Sequence, residues 1–164
     1  MGTDVYLSWD GMTEEEEKAR YTGFRIDMGR VGYLRASIWA TRENAVLRLL
    51  FPEAWESEEG TPYDFKNPEN IKKLHILARA YLLSYLTGKD YLSEFEEEKI
   101  KEMRGVMEEF VNALKKLNCE VEIERPEEND LERAVMWLNS LFAFYRLGIE
   151  KQEEGKNPKI YISW

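Results

Sequence analysis

The two ends of this chain carry the same alternating pattern. Val5-Tyr6-Leu7-Ser8-Trp9 and Ile160-Tyr161-Ile162-Ser163-Trp164 both run aliphatic, Tyr, aliphatic, Ser, Trp. Period-two alternation is what a half-buried strand requires, because successive side chains point to opposite faces of a sheet. Two strands with matched alternation suit one sheet, so the N- and C-terminal segments are expected to meet there. Asp10-Gly11 marks a turn after the first of them.

A second alternating pair lies further in. Gly23–Asp27 and Tyr33–Trp39 flank Met28-Gly29-Arg30-Val31-Gly32, a connection of hairpin length, and are read as a β-hairpin. Phe24, Ile26, Leu34, Ala36 and Ile38 share its apolar side. Arg25, Asp27, Tyr33, Arg35, Ser37 and Trp39 fall on the other.

The rest of the chain reads mainly as helix. Thr13-x-x-Glu16 is a capping box, and Glu14–Glu17 suit the positive end of a short helix that closes before Gly23. Thr41–Leu50 carries an apolar stripe of Ala45, Val46, Leu49 and Leu50. Residues 52–67 read as the longest irregular stretch. Asn67-Pro68 opens a helix that runs to Thr87, with Gly88 as its stop. Ser93-x-x-Glu96 opens another to Leu117, and Cys119–Glu124 alternates as an edge strand bearing glutamates. A final helix runs from Asn129 or Asp130 to Ile149, before the closing strand. The fold class is α+β: four or five helices on a small, mostly antiparallel sheet of three to five strands. At 164 residues it forms a single domain, 1–164.

Two of the helices are apolar nearly all round. Leu74–Leu86 and Ala134–Leu147 each hold only three non-tyrosine polar side chains: His75, Arg79 and Ser84 in the first, Asn139, Ser140 and Arg146 in the second. Such helices belong in a core or an interface. The expectation is a homodimer with the last helix at the contact.

Charge and residue counts narrow the chemistry. The acids are 26 Glu and 6 Asp against 23 Lys and Arg, a net charge of −9, with no dense basic run. That disfavours nucleic acid and anionic membrane as partners. The Glu-rich, Gln-poor composition has a thermophilic tendency. Met1–Asp4 lacks the charged and apolar regions of a signal peptide, and Cys119 has no partner for an internal disulfide, so a cytoplasmic location is expected. His75 is the only histidine, which removes multi-histidine metal sites within one chain. Phosphate-cradling glycine motifs are also lacking. No metal and no cofactor are expected, and no catalytic residue is assigned.

What remains is a surface. Tyr, Trp and Arg dominate binding hot spots, and the outer side of the sheet gathers Tyr6, Arg25, Asp27, Tyr33, Arg35 and Trp39. Trp55 and Tyr63 join from the long loop. The function expected is a non-catalytic binding or interaction protein, with a protein or small-molecule partner. The alternative is a small hydrolase or transferase that uses Asp10, Asp27 or Asp64 with Arg35 and a divalent ion. The two differ in one observation: an enzyme needs carboxylates converging near Arg35, whereas a binding module needs an open aromatic face.

Overall fold

A computed structural model describes residues 2–21, 28–37, 40–87 and 128–164. The helix expected at 93–117, the strand at 119–124, Cys119, and the first hairpin strand at 23–27 lie outside the described residues. So do Arg25, Asp27 and Trp39.

The elements are β1 (Gly2–Ser8), α1 (Glu14–Ala19), a 3-10 turn (Met28–Val31), β2 (Tyr33–Ser37), α2 (Thr41–Leu50), α3 (Pro52–Trp55), β3 (Thr61–Pro62), α4 (Pro68–Thr87), α5 (Glu128–Glu153) and β4 (Lys159–Ser163). The four described strands form one antiparallel sheet in the order β2-β1-β4-β3. The two ends of the chain do pair: Tyr6 lies opposite Tyr161 and Val5 opposite Ile162. Tyr6 also lies opposite Tyr33 on β2. β1 is therefore the centre of the described sheet, with an end of the chain on one side and an internal strand on the other.

The alternation does what the pattern demands. Val5, Leu7, Leu34 and Ile160 are wholly buried, and Ala36 and Ile162 nearly so. They form one core with Val46, Leu50, Tyr81, Trp137, Leu141 and Phe144 from the helices. Helices thus cover the inner side of the sheet. Side-chain links tie the layers together. Trp137 Nε1 donates to the Arg35 carbonyl at 3.1 Å, and Asn44 Nδ2 to the Ser37 carbonyl at 2.9 Å. The hydroxyls of Tyr81 and Tyr85 both donate to Glu43 Oε1, at 2.7 and 2.8 Å, joining α4 to α2.

The end of α2 at Leu50 is as expected, and other boundaries differ. Phe51 leaves the helical region at φ −124°, ψ 56°, as a residue before proline should. The stretch after it is not wholly irregular: Pro52 starts the one-turn helix α3, and Thr61–Pro62 pairs with β4. Both are too short to leave a periodic signal. α5 runs past Ile149 to Glu153 and through Gly148. Gly148 faces Phe65, where a Cβ would collide with the ring, so the glycine serves packing and does not stop the helix. Most of the apolar surface of α4 and α5 is covered within the chain, although Val135 and Met136 each remain 43% exposed.

The 3-10 turn is pinned to α5 by a buried bond. Gly29 N–H donates to Ser140 Oγ at 2.8 Å, and a Cβ on Gly29 would strike the Ser140 backbone. Ser140→Ala leaves a buried N–H unpaired and is expected to cost about 1–3 kcal/mol. Gly29→Ala is expected to cost about 3 kcal/mol, because the backbone there has no room to give. Urea unfolding of the two variants checks both values.

Candidate functional site

The outer side of the sheet follows from the same alternation. Asp4, Tyr6 and Ser8 on β1, Tyr33 and Arg35 on β2, and Lys159, Tyr161 and Ser163 on β4 occupy it. Tyr6 is its hub. Its ring centroid lies 5.3 Å from Tyr33, 5.3 Å from Tyr21 and 6.2 Å from Tyr161, all tilted by 32–38°. Contacts of this kind contribute about 0.5–1.5 kcal/mol each beyond area burial. Of these rings, Tyr161 is 39% and Tyr21 58% exposed, whereas Tyr33 is 1% exposed.

Tyr33 is therefore a support and not a contact surface. Its hydroxyl donates to Asp4 Oδ1 at 2.6 Å, and Arg35 Nη1 stands 3.5 Å from the same oxygen. The register sets Asp4 opposite Arg35, which brings the three together. Arg35 thus pairs with Asp4, an aspartate the sequence reading did not assign to it. Asp10 instead accepts from Asn157 Nδ2 at 2.9 Å. It lies six residues beyond Asp4, about 20 Å along an extended chain.

Arg20 closes one end of the face. It is only 6% exposed, donates through Nη1 to the Leu7 carbonyl at 2.9 Å, and lies near Glu17 at 3.7 Å. Its guanidinium sits 5.8 Å from the Tyr6 ring and 5.5 Å from the Tyr21 ring. Arg20, Tyr21 and Asp4 were not among the residues singled out from the sequence. Asp4 had a signal, since it alternates with Tyr6. Arg20 and Tyr21 had none, because they follow a short polar helix and reach the sheet only through the fold.

The two loop aromatics go elsewhere. Trp55 stacks on Trp164 at 6.4 Å and 9° between planes. Tyr63 packs edge-on against Phe51 and Phe65, at 5.0 and 4.8 Å, and faces Tyr145 at 6.2 Å. Neither joins the tyrosine face. Tyr63 anchors the loop to the helical core. Asp64 accepts at Oδ1 from Gln152 Nε2 at 2.7 Å and from Lys66 N–H at 3.2 Å, which fixes the same loop.

His75 is exposed on α4, 6.0 Å from the Phe142 ring. No cluster of three or more metal-ligating side chains occurs among the described residues. No described helix is long and apolar enough to cross a membrane. Comparison of the chain with protein-family models, curated proteins and solved structures finds no match.

Burial holds the phenols of Tyr6, Tyr33, Tyr63, Tyr81, Tyr85 and Tyr145 above the ordinary tyrosine value of 10.0, Tyr145 at about 12. At Tyr33 the bond to the Asp4 carboxylate adds to the effect of burial, and at Tyr81 the Glu43 carboxylate does. Below about pH 10 both folded and unfolded chains keep these protons, so this contribution is constant. Above it the unfolded chain releases protons that the folded chain retains, and stability falls. Denaturation midpoints are expected to be insensitive to these groups up to about pH 10 and to drop above it. Tyr33→Phe is expected to cost about 1–3 kcal/mol near neutral pH, through loss of the bond to Asp4. Chemical unfolding of the variant measures that loss.

Proposed function

We propose that the protein is a non-catalytic binding module and that the outer side of its sheet is the recognition surface. The observation that carries this reading is the tyrosine cluster around Tyr6, whose outer members Tyr21 and Tyr161 are open to solvent. Tyrosine supplies large contact area at small conformational cost, which is why it recurs in binding sites. Tyr33, Asp4 and Arg20 hold the cluster from behind, so the rings meet a partner already arranged. Arg35 adds a half-exposed guanidinium at the margin.

The hydrolase reading has less support. Near Arg35 the described residues place one carboxylate, Asp4, and it is already bonded to Tyr33. Asp10 and Asp64 line a different hollow, each held by a carboxamide.

Tyr161→Ala and Arg35→Ala test the reading. Both side chains reach solvent, so the variants are expected to fold. They should lose the partners that the native chain retains in a pull-down. Retention of every partner by both variants sinks the proposal.

The chain is further proposed to act as a homodimer in a cytoplasmic setting. Val135 and Met136 on α5 offer the apolar surface that its own core leaves uncovered. Light scattering is expected to give twice the chain mass of 19.4 kDa, and Met136→Glu to return it to the single-chain value.

A further inference from the structure

A cleft on the helical side, independent of the tyrosine face, has the form of a small-molecule site. It opens between α3, β3 and the start of α4 and has a volume of about 440 Å³. That lies within the ordinary range for ligand pockets. Its floor is Leu50, Phe51, Ala54 and Ile160, each under 5% exposed. The floor offers no charged group, so it suits a hydrocarbon or aromatic body.

The charges stand at the mouth. Glu53 and Asp64 contribute two carboxylates against the single Lys73, which is itself engaged. Asn70 is engaged too, donating to the Asp64 carbonyl at 2.9 Å. Asp64 spends one oxygen on the loop through Gln152 and Lys66. Glu53 is exposed and makes no hydrogen bond or ion pair among the described residues. The free polar capacity of the mouth is therefore that of an acceptor with negative charge, and the net charge of −9 adds to the same sign.

We propose that this cleft binds a small primary amine with an apolar body. The ammonium sits at the Glu53 and Asp64 side, and the body rests on Phe51 and Ile160. Exposed carboxylates attract weakly, so the affinity expected for a compact amine is in the millimolar range.

The test is a titration of the labelled full chain with phenethylamine, followed by amide NMR. The amides of Phe51, Ala54, Tyr63 and Ile160 should shift and saturate. The control probe, 3-phenylpropionate, has the same body and the opposite charge, and should shift them little. Glu53→Gln should weaken amine binding about fivefold, as loss of one exposed charged partner does. Glu53→Arg, at an exposed position that leaves the core untouched, should reverse the preference toward the acid. Asp64→Asn keeps the shape that Gln152 needs and should also weaken the amine, with the native amide spectrum showing that the loop still folds. Equal binding of amine and acid overturns the proposal, as does an unchanged preference in Glu53→Arg. Absence of shifts in the native chain at about 20 mM amine, well above the millimolar range, overturns it too. None of these outcomes bears on the tyrosine face, where Tyr161→Ala is read separately.

Discussion

The structure depends on β1 having a partner on each side. Its inner row, Val5 and Leu7, is wholly buried, and its outer row meets Tyr33 on one flank and Tyr161 on the other. A two-stranded ribbon is marginal in water, whereas a third strand and a helical cover make a stable sheet. Closing that sheet brings together residues more than 150 positions apart in the sequence, as Asp4 opposite Ser163 shows. The helices supply the cover. α2, α4 and α5 cannot bury their own stripes without the sheet, and the sheet cannot bury its inner row without them.

The outer face is a consequence of that arrangement. With the helical layer on one side, alternation sends Asp4, Tyr6, Tyr33, Arg35 and Tyr161 to the other. A polar row is the ordinary solution for an open sheet face. Here the row is aromatic, and two of its polar groups are satisfied within it: Tyr33 and Arg35 share the Asp4 carboxylate. Arg20 plays a similar part. Its guanidinium is taken out of water, yet it keeps the Leu7 carbonyl, Glu17 and two tyrosine rings. Breaking such a buried charged group from its partners is costly, which makes it a fixed part of the scaffold.

The strands at the ends were legible because a period of two survives without context. The Thr13 capping box and the Asn67-Pro68 start were legible because helix ends need local donors and acceptors. The Thr13 box is present with both of its bonds, and Asn67 Oδ1 accepts from Glu69 N–H at 2.9 Å. α3 and β3 were not legible, being one turn and one pair of residues. The role of Gly148 was not legible either: it makes room for Phe65, a residue more than 80 positions away. The site was legible in part. Tyr6, Tyr33 and Arg35 share a face as alternation requires, but Tyr63 had an aromatic neighbourhood in the core to satisfy, and Trp55 had Trp164.

By itself, then, the sequence determined the class of fold, the two terminal strands, most limits of the described helices and the side of the sheet to which each described strand residue points. These rest on local rules: alternation, helical period and capping. Only the tertiary structure decided that β1 lies between β2 and β4, that Arg35 pairs with Asp4, and that Arg20 and Tyr21 fold onto the tyrosine face. It also decided that Tyr33 is sealed while Tyr161 meets solvent. Those outcomes turn on which strands become neighbours and what covers them, and burial of that kind is a property of the assembled core, not of any window along the chain.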